Sequence, residues 1–317
     1  MSPQPNSLFP EIEPYQFGFL PASGIHQIYY EQCGNPNGYP VIFLHGGPGS
    51  GCNSGQRRFF DPEFYRIVLF DQRGCGRSMP LGSIHENTTN HLLDDIELLK
   101  NHLGISKWLV FGGSWGSTLA ITYAVKFSKS VSALILRGIF LSRADELNWF
   151  LNDVKQFYPD AWDKLISFIP FQERDQVLNA YQKRVFSEDH YTSLHASINW
   201  NNFESGIMSL KPSPLSSTSV PDSIQIARAR IQIHYIKNGC FVDGDEILNQ
   251  VHKLSDIPTV IIQGRYDMVC PPITAWELSN KIPNAELHII DDAGHSAMEP
   301  GTASKLVEYT EKFKAII

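Results

Sequence analysis

Six short apolar runs closed by glycine, aspartate or proline punctuate the chain. "PVIFLHG", "YRIVLFDQRG", "KWLVFGG" and "VSALILRG" fall in its first half, and "TVIIQGRYD" and "AELHIID" near its end. Runs so short, apolar on both faces and bounded by turn formers, read as buried strands of a parallel sheet. Between the second and third, Leu92, Ile96, Leu99 and Leu103 recur at spacings of four, three and four before Gly104, the pattern of an amphipathic helix and its stop. The alternation is βαβ, which predicts an α/β fold with a mostly parallel sheet. It lapses near Phe140 and resumes at Thr259. The stretch 141–235 is rich in aromatics and helix formers, carries the Ser/Pro loop "KPSPLSSTSVPDS" and shows no strand alternation. It is expected to be a helical cap inserted into a core built from 1–140 and 236–317, lying over the carboxyl ends of the strands, where open α/β sheets hold their sites.

A chain of 317 residues with 42% hydrophobic content can bury a large core. Its net charge of -7 and the lack of a concentrated basic run argue against a nucleic-acid surface. No apolar run is long enough to span a bilayer, and the N-terminus lacks a basic segment followed by an apolar one, so no membrane partner is expected. Cys33, Cys52, Cys75, Cys240 and Cys270 are odd in number and lack CxxC spacing, which favours a reducing, cytoplasmic setting over a disulfide framework or a thiolate zinc site. Oligomeric state is not legible.

"GGSWGS", 112–117, sits directly between an apolar run and an apolar, alanine-containing run. GxSxG alone is a weak signal, because small residues at fixed spacing recur by chance. Its setting strengthens it: 107–111 reads as a strand and 118–125 as a helix, which puts Ser114 on the sharp turn of a nucleophile elbow. A serine nucleophile needs a base, and the base an orienting carboxylate. In this arrangement the chain order is Ser, acid, His, each at a strand end. "GRYDMVCPP" offers Asp267 and "DDAGHSAMEP" offers His295; Asp291 and Asp292 compete for the acid role but lie awkwardly close to the histidine. An oxyanion needs backbone donors, for which Trp115, after the serine, and Gly46 and Gly47 of "LHGGPGSG" are the candidates. His45 is expected to orient that loop. The loop lacks both GxGxxG and a P-loop lysine, there is no HExxH, and His190 and His195 are not at helical ligand spacing. Neither cofactor nor metal is expected.

The chain resembles the proline iminopeptidases (prolyl aminopeptidases) of the α/β-hydrolase fold, through "HGGPGSG", "DQRGCGRS", "GGSWGSTLA", "LRGIF", "ELNWF", "FYPDAW", "ARIQIHY", "GRYDMVCPP" and "DAGHS". That resemblance implies helices on both faces of the sheet, an inserted cap, and removal of N-terminal proline from small peptides. Ser114 would be the nucleophile, His295 the base and then acid, and Asp267 the orienting group. It also implies an amine site. The family's WxxWE segment reads "WNNFE" here, keeping Glu204 but with Phe203 for the second tryptophan, and its ARIExHY segment reads "ARIQIHY", with Gln232 where the family usually has glutamate. Such a site would offer the substrate ammonium one negative charge and a neutral amide oxygen. Phe140 and Trp149 match positions lining the family's ring pocket.

Two other readings share the residues. An esterase or amidase for a neutral small substrate would use the same Ser, Asp and His, and the glutamine at 232 suits it. A catalytically silent binding protein would not need all three. Cys270, three residues beyond Asp267, is close enough in sequence for bulky thiol reagents to crowd the site.

Overall fold

A computed structural model describes residues 7–211 and 220–317. Its centre is an eight-stranded sheet: β1 Gln16–Pro21, β2 Gln27–Gly34, β3 Tyr39–Leu44, β4 Tyr65–Phe70, β5 Trp108–Ser114, β6 Val131–Ile139, β7 Thr259–Gly264 and β8 Glu286–Ile290. The spatial order is β1-β2-β4-β3-β5-β6-β7-β8. All neighbours from β4 through β8 pair in parallel, whereas β1 with β2 and β2 with β4 are antiparallel. The six expected strands are β3 to β8. The antiparallel pair at the edge was not anticipated, because β1 exposes its aromatics, Phe17 and Phe19, and so inverts the usual signal.

Side chains alternate between the two faces of the central strands. Ile42, Leu44 and Val110 join a cluster under α1 (Thr89–His102) and α2 (Trp115–Lys126), with Leu92, Ile96, Leu99 and Leu119. Val41, Phe43, Leu109 and Phe111 join a second cluster with Phe59, Phe60 and, from α10 (Pro300–Phe313), Leu306 and Val307. Helices therefore cover both faces.

Between β6 and β7 the described residues form helices and no strand. In order these are α3 Ala144–Leu151, α4 Pro159–Ser167, α5 Val177–Val185, α6 His190–Ile207, α7 Asp222–Lys237 and the short α8 Gly244–Gln250; α9 Pro272–Lys281 follows β7. Positions 212–219 of the Ser/Pro stretch lie outside the described residues. Phe150, Trp162, Leu165, Tyr181, Trp200 and Phe203 build a third cluster inside this insertion. α7 belongs to both units: Ala229, Ile233 and Ile236 face the third cluster, and Ile231 and Tyr235 pack into the first. The expected boundary at 235/236 thus falls inside a continuous helix.

Candidate active site

β5 runs straight into α2 with Ser114 at the junction, so the helix begins at Trp115, three residues earlier than the apolar pattern suggests. Ser114 has φ 58 and ψ -130, a backbone conformation costly for a residue with a Cβ. The turn closes only because its neighbours are small. A Cβ on Gly116 would sit 2.0 Å from the Leu44 carbonyl oxygen, and one on Gly112 would sit 2.2 Å from the Gly116 oxygen. The result lifts the Ser114 side chain into a small, partly enclosed cavity that Gly47, Phe140 and Glu204 also line. The first-turn N–H groups of α2, beginning with that of Trp115, have no intrahelical acceptor and carry the positive end of the helix dipole.

Asp267 and His295 come together behind this turn. His295 Nδ1–H donates to Asp267 Oδ2 at 2.7 Å, with both side chains almost fully buried. The remaining lone pairs of Asp267 are taken by the backbone N–H groups of Val269 (3.0 Å) and Cys270 (2.7 Å) on Oδ1 and by Gln263 Nε2 (3.0 Å) on Oδ2. A carboxylate so saturated is fixed in direction, and it fixes the imidazole tautomer with Nε2 unprotonated. Asp291 is exposed and, among the described residues, pairs with Arg265 at 3.4 Å. A hydroxyl on a strained turn and an imidazole oriented by a buried carboxylate are the groups from which a nucleophile, base and acid set is assembled.

The histidine loop is held from two sides. The His295 and Ser296 N–H groups donate to the Met208 carbonyl at 2.8 and 3.0 Å, and Arg137 Nη1 donates to the His295 carbonyl at 2.7 Å. Arg137 and Gly138 both belong to "LRGIF", yet nothing in their spacing marked them. Gly138 has φ +56, and a Cβ there would lie 2.9 Å from His295 Cε1 and 3.4 Å from Asp267 Oδ2. Gly138→Ala is expected to push the ring off Asp267 and to lower kcat by about 100-fold, while the melting temperature falls only by what about 1–3 kcal/mol of backbone strain implies. Steady-state kinetics beside thermal unfolding separates the two effects.

Gly46 lies against Ser114, since a Cβ on it would be 3.2 Å from Ser114 Cβ and 3.8 Å from Oγ; Gly47 lines the cavity. His45 is fully buried, which lowers its pKa; it donates through Nδ1 to the Gly46 carbonyl (2.9 Å) and accepts the Gln72 N–H on Nε2 (3.0 Å). Gln72, unremarked in "DQRGCGRS", joins the two walls: its Nε2 donates to the His45 carbonyl (2.9 Å) and its Oε1 accepts from Trp115 Nε1 (2.8 Å).

The same cavity is lined by Glu204, from α6, and Gln232, from α7, both buried. Gln232 Oε1 accepts from Trp200 Nε1 (2.5 Å), while its Nε2 donates to Glu204 Oε1 (2.9 Å) and to the Gly47 carbonyl (3.2 Å). The indole only donates, so the amide orientation is determined. This corrects the expectation of an amide oxygen offered to the substrate: the oxygen is turned to Trp200. Phe140 lines the cavity, but Trp149 is not among its lining residues. The Trp149 indole N–H is drawn to the Met268 carbonyl at 2.8 Å, and Leu147 and Phe150 of the same helix take the wall. Cys270 also lines the wall; burial pushes its thiol pKa well above the usual value, with the Ser114 hydroxyl acting in the other direction.

Comparison with known proteins adds to this geometry. A sequence profile described as alpha/beta hydrolase fold matches residues 39–302. The chain is 48% identical over 315 residues to a proline iminopeptidase of Arabidopsis thaliana, covering 98% of this chain and 83% of the plant protein. It is 47% identical over 310 residues to a proline iminopeptidase of Xanthomonas citri, covering 97% and 99%. Among solved structures, 2-hydroxy-6-oxo-6-phenylhexa-2,4-dienoate hydrolase from a Rhodococcus strain superposes with a TM-score of 0.61 at 22% identity, over 96% of this chain and 99% of the other.

Proposed function

Since the chain belongs to the proline iminopeptidases of the α/β-hydrolase fold, we propose that it releases N-terminal proline from peptides through an acyl-enzyme on Ser114. The observation that carries the reading is one cavity lined by both Ser114 and Glu204. Ser114 Oγ attacks the prolyl carbonyl carbon as its proton passes to His295 Nε2. The N–H groups of Trp115 and of Gly46 or Gly47 stabilise the oxyanion. His295 then gives that proton to the departing amine as the C–N bond breaks, and a water activated by the same nitrogen releases proline. Asp267 holds the imidazole throughout. Glu204 accepts an N–H from the prolyl ring nitrogen, Gln232 braces Glu204, and Phe140 lies along the ring, with Trp149 supporting α3 from behind. The insertion 141–235 acts as the cap that limits the acyl side to one residue, and the remaining segments, 1–140 and 236–317, form the hydrolase core.

The partners are small peptides. The five cysteines are free thiols, which supports a cytoplasmic location; no helix among the described residues is long and apolar enough to cross a membrane. A second reading, hydrolysis of neutral esters or amides, is favoured by one observation: Glu204 is already ion-paired with Arg228 at 2.7 Å. Hydrolysis rates for a panel of aminoacyl arylamides beside simple acyl esters decide between the two. Prolyl arylamide is expected to be the best substrate, and N-acetylation, which removes the ring N–H and adds bulk, is expected to abolish its cleavage. Equal cleavage of acetylated and free-amine substrates would establish the second reading.

A further inference from the structure

The carboxylate that faces the cavity does not stand alone. Glu204 Oε2 accepts from Arg228 Nη2 at 2.7 Å, and Oε1 accepts from Gln232 at 2.9 Å, so among the described residues each oxygen has one donor and keeps one lone pair for a substrate. Arg228 stands one turn before Gln232 on α7, on the solvent side of Glu204; its side chain is 27% exposed against 7% for Glu204. Its position is set by the backbone, because the Arg228 carbonyl abuts Gly49 so closely that a Cβ on 49 would lie 2.8 Å from that oxygen. Arg228 Nε is buried and has no hydrogen-bond partner among the described residues, which leaves the Glu204 carboxylate as the acceptor that the side chain engages. At such a distance the guanidinium balances the formal charge of Glu204 and weakens the field that the carboxylate projects into the cavity. Among the described residues lining the cavity Glu204 is the one carboxylate, since position 232 holds an amide whose oxygen is turned to Trp200 and whose NH₂ donates to Glu204.

We propose that Arg228 is a specificity-determining residue: its ion pair with Glu204 brings the amine end of the cavity to zero formal charge, so the site takes five-membered-ring acyl groups with or without a positive charge. The inference rests on the aminopeptidase reading, and it deepens the substrate class. A charge-balanced site recognises shape and a single N–H, and gains little from a cation.

The test uses two arylamides of equal shape, prolyl β-naphthylamide and its uncharged isostere cyclopentanecarbonyl β-naphthylamide. Their kcat/KM ratio is measured for the wild type and for the Arg228→Met, Arg228→Gln and Arg228→Lys variants. The wild type is expected to hydrolyse both. Removing the cation in either of the first two variants exposes the Glu204 charge and raises the prolyl-to-cyclopentanecarbonyl ratio at least tenfold, mainly through KM, and Arg228→Lys returns it toward the wild-type value. The proposal is overturned if a folded Met or Gln variant keeps the ratio within twofold, if the ratio falls, or if the wild type leaves the cyclopentanecarbonyl substrate intact. Failure of the wild type on the prolyl substrate overturns the aminopeptidase reading itself, an outcome separate from any effect at position 228.

Discussion

Ser114→Ala, His295→Ala and Asp267→Asn are each expected to lower kcat by about 10⁴-fold or more, and the triple variant is expected to be little worse than the single ones, because the three groups act as a unit. The reason for the Asp267 effect is directional. Asparagine in that place would offer the imidazole an amide that can turn its NH₂ toward Nδ1, which selects the wrong tautomer and leaves Gln263 Nε2 without its acceptor at that position. Labelling with an organophosphonate distinguishes loss of chemistry from loss of fold: Ser114→Ala should take up no label, and Asp267→Asn should take it up slowly while still unfolding in one cooperative transition, at a melting temperature lowered by the one buried donor left unpaired. Retention of near wild-type kcat by any one variant would remove that residue from the mechanism.

The second large effect is expected at Glu204. Glu204→Gln removes the negative member of the pair and leaves Arg228 as an unbalanced cation facing a cationic substrate, so like-charge repulsion adds to the lost charge-assisted hydrogen bond. A loss on the order of 2–3 kcal/mol in transition-state stabilisation follows for prolyl substrates, roughly 30- to 150-fold in kcat/KM. For the uncharged cyclopentanecarbonyl arylamide the loss should stay under about threefold, since it brings neither cation nor N–H. Equal losses on both substrates would mean that Glu204 shapes the cavity and does not read the nitrogen.

The central sheet and the nucleophile turn were legible because each is written in contiguous residues. A run such as "KWLVFGGSWGS" holds the strand, the glycines that permit close helix packing and the serine between them. Asp267 and His295 were legible through their order and their places at strand exits. The edge hairpin was not, since Phe17 and Phe19 point outward and make β1 look like a loop with aromatics. Gly138 gave no local signal either: its meaning lies in the closeness of His295, which is far away in the chain. The amine end shows the same limit. Sequence comparison singled out position 232 as a glutamine, but which end of the amide faces Glu204 depends on Trp200, and the charge there depends on Arg228, one turn earlier on α7. A residue type can be read from a string of letters, whereas a hydrogen-bond direction cannot.

The helical insertion is tied to the segments around His295 and Gly47 at more than its ends. The end of α6 lends its Met208 carbonyl to the backbone of His295, and α7 carries Gln232 against the Gly47 carbonyl while its Tyr235 hydroxyl reaches Asn87 at 2.9 Å beneath. A modular history, in which caps are traded between hydrolases as interchangeable parts to acquire new substrates, therefore meets an obstacle here. A transplant cut at the obvious sequence borders would arrive with its own version of the histidine's anchor and of the oxyanion loop's brace. An exchange of the insertion would have to carry these contacts along α6 and α7 with it.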